Sequence, residues 1–425
     1  MAREGVADFF SDLSLVDDPY PYYAYARQQG PVWQEPYHGT YVVTGYDEMQ
    51  AIYRDPDTFS SCNAGGGPFP GLPERAGDDA SELIEKYRGV FPSSESLITF
   101  DQPQHTDHRG LMMRLLTPKR LKENEGFMWR LADQLIDGFV AKGRCDFMSE
   151  YAQPFALLVV ADLLGVPESD HPELRRRIVA KGPAGTIGKP VEGNFLDYLE
   201  DFFTVYVEDR RRQPKDDVLG KMAQIAFADG STPEVIEVAR VATILFSGGQ
   251  GTAARFLGNM VKLIAEDGPL QGLLRAEPNR IPDFVEETLR LLSPVKTNYR
   301  VARRSTTLGG IKVPAGTSLV LLPGAADRDE RRFACPAEFN MDRPNVREHV
   351  AFGRGPHSCP GAPLVRADGR ISLERMLDRL PDIEISEAEH GPPESRRYQY
   401  TPSYILRGVE ALHLDFTAGT SFSEG

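Results

Sequence analysis

The sequence predicts a mainly α-helical protein with small β-sheets, because long helical patterns outweigh a few short strand patterns. Residues 104–165 follow a helical pattern, and residues 232–265 form a second helical segment whose middle is apolar on every side. By contrast, residues 300–303 and 309–316 are typical of a strand and of a tight turn rich in glycine and proline. This mixture predicts an α+β fold in which helices dominate.

Composition is that of one large globular domain. The chain has 425 residues, of which 41% are hydrophobic and 26% charged, and no linker or repeat divides it, so we expect a single domain over 1–425. It has no apolar run near the ~20 residues that a membrane span requires. The first thirty residues are acidic and do not resemble a signal peptide. We therefore expect a cytoplasmic protein without a membrane partner.

Net charge and cysteine content exclude further classes. The formal charge of −14 argues against nucleic acid as a partner. The four cysteines are widely separated, which argues against a disulfide framework.

The segment over 232–265 is expected to be a long buried helix. Ser231 is the predicted N-cap, with Pro233 in the first turn and Glu234 closing a capping box. Its centre carries Gly248, Gly249 and Gly251, and each glycine weakens a helix by about 0.5–1 kcal/mol relative to alanine. A buried helix that retains three such glycines is expected to have a flat group lying close to its backbone. The alternative is that the glycines permit tight packing against another helix.

The most informative segment is residues 352–361, Phe-Gly-Arg-Gly-Pro-His-Ser-Cys-Pro-Gly. It places Cys359 in a turn before an apolar, helix-compatible run, whose N-terminal N–H groups and dipole favour a thiolate over a thiol. A single thiolate can serve as a nucleophile, a zinc ligand or the axial ligand of a haem iron, and the turn can also be purely structural. The zinc interpretation lacks a second pair of ligands at suitable spacing.

Phe352-Gly-x-Gly-x-His-x-Cys359-x-Gly361 resembles the haem-binding loop of the cytochrome P450 family, in its soluble bacterial form. Three other segments have that family's order and distances: residues 287–290 (Glu-Thr-Leu-Arg), 246–253 (Phe-Ser-Gly-Gly-Gln-Gly-Thr-Ala) and 101–109 (Asp-Gln-Pro-Gln-His-Thr-Asp-His-Arg). The resemblance implies a single-domain triangular fold with haem between a long I helix, about 232–265, and an L helix after the cysteine. It also implies a K helix at about 281–292.

The same resemblance assigns roles around a haem b cofactor. It makes Cys359 the iron ligand within a loop bounded by Phe352 and Gly361, and it sets Gly248 and Gly249 against the haem. Residues that match propionate-binding positions are His105, Arg109, Arg300 and His357. Glu287 and Arg290 lie three apart on one helix face and would pair, with Arg343 completing a structural network.

The oxygen-binding stretch departs from the family pattern. Thr252 matches the hydroxyl that organises proton transfer, but Gly251 stands where most relatives have an acid, with Gln250 before it. Because the glycine side chain cannot transfer protons, proton delivery to the bound oxygen would use water, Gln250 or the substrate. The resemblance implies a monooxygenase that inserts one oxygen atom from O2, whereas the missing acid leaves a peroxide-driven or otherwise atypical haem-thiolate enzyme as an alternative. A haem-binding sensor or carrier is a further, non-enzymatic alternative.

Family position also suggests a substrate pocket and an electron donor. The expected pocket residues are Val295, Thr297, Asn298, Ile405, Leu406 and Phe246, which are mostly apolar or small and indicate a small hydrophobic substrate. Electrons from NAD(P)H would arrive through a ferredoxin-type protein. The residues expected to form its docking patch are Arg109, Arg114, Lys119, Arg120, Arg354 and Arg366. The alternative is that these residues are ordinary solvent-exposed charges on helices.

Overall fold

A computed structural model of the chain describes residues 7–74, 76–181, 185–194, 196–227 and 229–419. The two ends of the expected 1–425 domain therefore lie outside the described residues. None of the helices in these ranges is both long enough and apolar enough to cross a membrane.

Helices form most of the described structure, which confirms the predicted fold class. The α-helices are α1 (Ser14–Asp17), α2 (Tyr20–Gln29), α3 (Tyr46–Arg54), α4 (Ser81–Lys86), α5 (Gln104–Met113), α6 (Pro118–Asp137), α7 (Gln153–Leu164), α8 (His171–Lys181), α9 (Asp197–Arg212), α10 (Val218–Ala223), α11 (Val235–Glu266), α12 (Gly268–Ala276), α13 (Ile281–Leu292), α14 (Pro323–Ala326), α15 (Ala362–Arg379) and α16 (Glu387–His390). A π-helical turn over Met148–Ala152 leads directly into α7.

Small sheets provide most of the remaining regular secondary structure in the described chain. The strands are β1 (Val32–Gln34), β2 (Tyr41–Val43), β3 (Phe59–Ser60), β4 (Arg144–Asp146), β5 (Asn298–Ala302), β6 (Thr306–Leu308), β7 (Ile311–Val313), β8 (Ser318–Leu321), β9 (Glu384–Ile385) and β10 (His413–Asp415). Within the described ranges they form a five-stranded sheet of order β1-β2-β8-β5-β3, a three-stranded sheet of order β4-β10-β9, and the hairpin β6-β7. Strand β5 pairs with β8 in antiparallel register, Arg300 opposite Leu319, and this pairing fixes the position of Arg300.

Helix α11 lies at the centre of the main hydrophobic core, packed chiefly against α7 and α9. Its N-cap lies three residues later than the cap predicted at Ser231. Glu234 is the N-cap, and it forms a capping box with Glu237. The prediction at Ser231 was wrong because it would place Thr232 in a helical conformation directly before Pro233, which proline disfavours. Ser231 instead donates its backbone N–H and its hydroxyl to Asp229.

Candidate functional site

The Cys359 loop is held by backbone hydrogen bonds and by two glycines with left-handed backbone. Cys359 N–H donates to the Phe352 carbonyl at 2.8 Å, which closes the loop. Gly353 and Gly355 have φ of +63° and +68°, a region that side chains with a Cβ rarely adopt. A Cβ on Gly355 would lie 2.0 Å from the Tyr53 carbonyl oxygen, so the loop packs directly on the end of α3. The thiol is therefore presented by a rigid turn just before α15.

The electrostatics of Cys359 correct one expectation. Burial raises the pKa of the Cys359 thiol, although hydrogen bonds from the Gly361 and Ala362 N–H groups and the charge of Arg109 act in the opposite direction. The start of α15 does direct its N–H groups at the sulfur, as the sequence suggests. These hydrogen bonds stabilise the thiolate less than its desolvation destabilises it. Cys359 is nevertheless an exposed residue, so it is partly accessible from outside the protein.

Four cationic or donor side chains gather beside this loop. The rings of His105 on α5 and His357 have centroids 3.9 Å apart. Arg109, one turn further along α5, donates to the Ser358 carbonyl at 2.7 Å. Arg300 on β5 is buried and donates only to the neighbouring Tyr299 carbonyl within the described structure. One helix, one strand and the Cys359 loop, which are far apart in sequence, thus bring together the four residues that the resemblance assigned to haem propionates.

None of these four side chains forms an ion pair with a residue that the structure describes. Burial, reinforced by nearby guanidinium groups, lowers the pKa of His105 to about 4 and that of His357 to about 2. Burial also lowers the pKa of Arg109 and of Arg300. The buried Nε2 of His105 has no hydrogen-bond partner among the described residues. A porphyrin bearing two carboxylates fits this donor set, because it would supply the missing acceptors and negative charge.

A buried ion network fixes the segment that leads to the cysteine. Glu287 accepts from Arg290 at 2.7 Å and from Arg343 at 3.2 Å, and all three side chains are almost fully buried. Arg290 also donates to the carbonyls of Asp327 and Pro336, and thereby ties α13 to the loops before Cys359. The three residues meet as expected, and their contacts position the backbone of the loop without reaching the thiol.

The glycines of α11 face different surroundings, which corrects their shared interpretation. A Cβ on Gly248 would meet no atom within 4 Å, so the helix borders open space there. A Cβ on Gly249 would instead lie 2.8 Å from Val160 Cγ2 on α7, so Gly249 permits close helix packing and does not face a cofactor. Consecutive helical residues point about 100° apart, which explains why the two glycines have different surroundings.

A cavity of about 1450 Å³ borders α11 on the side of Thr252. Gln250, Gly251 and Thr252 line it together, as the sequence suggests, along with Arg255, while α7 contributes Leu157 and other apolar side chains. The thiol and the four propionate-type residues are not part of its wall.

Most of the expected pocket residues lie elsewhere, and only Leu406 lines the cavity. Phe246 is buried in the core, 5.8 Å from the Phe203 ring. The hydroxyl of Thr297 bonds to Tyr299 and to the Tyr404 carbonyl, and Asn298 donates to the Tyr53 hydroxyl at 3.0 Å. Val295 and Ile405 also lie outside the wall: Val295 forms a β-bridge with Leu406, and Ile405 packs against Gly185.

Much of the expected docking patch is occupied by internal contacts. Arg366 pairs with the buried Glu286, Arg354 donates to the carbonyls of residues 347–349, and Arg120 donates to those of residues 162–163. Lys119 is largely exposed, and its only ion pair in the described structure is a distant one, 3.9 Å from Glu123. Lys119 and Arg114 are therefore the members best able to meet a partner.

Sequence reasoning missed three contributors to the site. Tyr53 supports Gly355 from α3, and the Phe100 backbone hydrogen-bonds to His357. No local pattern marks either residue, because both act through chain segments distant in sequence. Arg255 lies four residues after Gly251, and this helical spacing was a signal that could have been used.

Comparisons with known proteins agree with this geometry. A model of the cytochrome P450 family matches residues 194–395. Cytochrome P450 144 of Mycobacterium tuberculosis is 32% identical over 96% of this chain and 91% of its own length. The substrate-free structure of Mycobacterium marinum CYP150A6 is 52% identical, with a TM-score of 0.91 over 97% of this chain and 99% of that one. A Bacillus megaterium relative, CYP109E1, solved in complex with testosterone, is 26% identical with a TM-score of 0.76 over 94% of this chain and 99% of that one.

Proposed function

The chain belongs to the cytochrome P450 family and is a haem-thiolate monooxygenase, and from this premise we propose that it oxidises a small, mainly hydrophobic molecule with electrons from a ferredoxin. The observation that carries the proposal is the joint placement of an exposed thiol beside two guanidinium groups and two imidazoles that form no ion pair within the described chain. We also propose that the reaction takes place in the cytoplasm, where NAD(P)H is available.

In this proposal the cofactor is haem b, and when bound it supplies an iron centre that activates O2 for insertion of one oxygen atom into the substrate. Cys359 would hold the iron through its sulfur, aided by the N–H groups of Gly361 and Ala362. His105, Arg109, Arg300 and His357 would bind the two propionates. Gly248 would leave room for the flat face of the ring.

Thr252 would hold and orient protons above the reacting centre, through a hydroxyl that can both donate and accept. Gln250 lines the same cavity, and its amide can position a water molecule but cannot supply a proton at neutral pH. Gly251 contributes no acid. The route of proton delivery therefore depends on water and on the bound substrate.

For electron transfer we propose docking of a ferredoxin-type protein near Arg114 and Lys119. Acidic partners are steered by exposed positive charge, and the other four members of the patch are largely engaged within the protein. Replacing Lys119 by glutamate should slow ferredoxin-dependent reduction, and the effect should shrink at high salt.

The direct test is reconstitution. The purified holoprotein should show a thiolate-type Soret band in its reduced carbon monoxide complex, and Cys359→Ser should abolish that band. Turnover with NAD(P)H, reductase, ferredoxin and O2 should give products carrying one added oxygen atom, which labelled O2 and mass spectrometry would detect. A normal spectrum without any oxygenated product under this electron supply would refute the monooxygenase proposal.

One observation supports a second candidate, a peroxide-driven enzyme: the space beside residue 251 holds the guanidinium of Arg255 instead of an acid. Turnover with hydrogen peroxide, and none with ferredoxin and O2, would favour this candidate over the first.

A further inference from the structure

Arg255 lies on the same face of α11 as Gly248 and Thr252. The three residues are spaced by four and by three, which aligns their side chains along one side of a helix. Thr252 and Arg255 both line the 1450 Å³ cavity. Arg255 is therefore placed where it can contact a molecule bound beside Thr252.

The position of the Arg255 side chain depends on two glycines. Its Nη1 donates to the Gly251 carbonyl at 2.8 Å, and a Cβ on Gly251 would lie 3.2 Å from that nitrogen. A Cβ on Gly408 would lie 2.4 Å from Arg255 Cγ, so a larger residue there would displace the arginine. The chain thus accommodates a cation beside the position where an acid is usual.

The hydrogen bonds of this guanidinium are incomplete. Arg255 forms no ion pair with any residue that the structure describes, and its buried Nε has no hydrogen-bond partner there. Burial lowers the pKa of Arg255, opposed only by the charge of Glu410. By contrast, the completely buried Arg290 is paired with Glu287. A desolvated guanidinium without a carboxylate is costly, and an anionic ligand would offset that cost.

The rest of the cavity wall suits an amphiphilic molecule. Leu157, Leu406 and Val409 provide apolar surface. The other charged groups of the wall, among them Arg175 and Glu410, are exposed, whereas Arg255 is partly buried and its Nε is fully buried. Positive charge is therefore concentrated at one point of the interior.

We propose that Arg255 binds the carboxylate of an amphiphilic substrate whose apolar body occupies the cavity beside Thr252. This inference rests on the proposed function and specifies its substrate class. Guanidinium and carboxylate geometries match in a bidentate pair, which favours a carboxylate over a neutral hydroxyl or ester.

The test compares carboxylic acids with their methyl esters on the holoenzyme. Saturated fatty acids of 8 to 16 carbons and a steroid carboxylic acid would each be paired with its ester, and binding would be followed by the Soret shift and by calorimetry. At least one acid should bind about 10- to 100-fold more tightly than its ester, the range expected for a charge-assisted bond. If no acid in the panel exceeds its ester, the inference is overturned.

Variants then test whether Arg255 causes any preference for the acid over the ester. Arg255→Gln should remove the preference for the acid and leave ester affinity unchanged, while Arg255→Lys should retain part of it because the charge remains. The matched control, Arg175→Gln, removes an exposed charge at the same cavity and should leave the preference intact. A preference that survives in Arg255→Gln would overturn the inference. Loss of the thiolate-type spectrum in the parent protein would instead refute the proposed function.

Discussion

Replacing Gly355 by alanine should destabilise the Cys359 loop by about 2–4 kcal/mol. The backbone at this position has φ of +68°, which costs an alanine about 1 kcal/mol relative to glycine. The added Cβ would also lie 2.0 Å from the Tyr53 carbonyl oxygen and 2.8 Å from its carbonyl carbon. Because the obstacle is backbone, either the loop or the end of α3 must move, and overpacking of this kind adds about 1–3 kcal/mol.

Two other glycines separate these contributions. Gly353→Ala has a similar φ of +63°, but its Cβ would meet only the Tyr53 ring at 3.9 Å, so we expect a loss of about 1 kcal/mol. Gly89→Ala has no neighbouring atom within 4 Å and no left-handed backbone, so we expect a change within about 0.5 kcal/mol.

The assay is urea unfolding of the holoprotein, followed by far-ultraviolet circular dichroism, with the thiolate-type carbon monoxide spectrum recorded for each variant. The order of stability should be Gly89→Ala, then Gly353→Ala, then Gly355→Ala, and only the last variant should also lose thiolate signal. Equal stabilities for the Gly353 and Gly355 variants would refute the reasoning, because they would show that contact with Tyr53 has no effect.

Three further predictions concern the same region. Glu287→Gln should lower stability by about 3–5 kcal/mol in urea unfolding, because it leaves the buried Arg290 without its counter-charge; a loss under 1 kcal/mol would contradict this. The folded state depresses the pKa of His105, so the unfolded chain binds more protons, and the haem-free protein should lose stability as pH falls from about 6.5 towards 4. His105→Asn should weaken that dependence, with the remainder coming from His357, and an unchanged pH profile would refute the assignment. Pro360 has no N–H to donate to the sulfur, so Pro360→Leu should raise the reduction potential by on the order of 30–60 mV in a spectroelectrochemical titration; an unchanged potential would exclude the effect.

The sequence by itself determined those features of the site that depend on residues close together in the chain. The Cys359 loop, its glycines and the start of α15 lie within a few residues of one another, so the local pattern was sufficient to identify the turn and the sulfur. The order of the other motifs then gave the family and the fold class, both of which are confirmed. The pairing of Glu287 with Arg290 was also accessible, because it depends only on the spacing along one helix.

The tertiary structure alone decided which distant residues share a space. Gly249 meets Val160 because α7 packs against α11, and Phe246 meets Phe203 because α9 also packs against α11. The sulfur's pKa likewise depends on the balance between burial and N–H donors, a balance that no motif expresses. The side chain of Arg255 can occupy its position, with its hydrogen bonds incomplete, only because Gly408 leaves room for it. These two residues are more than 150 positions apart in the chain. Packing between distant segments, and the desolvation it imposes, therefore determined the properties of this site that local spacing could not specify.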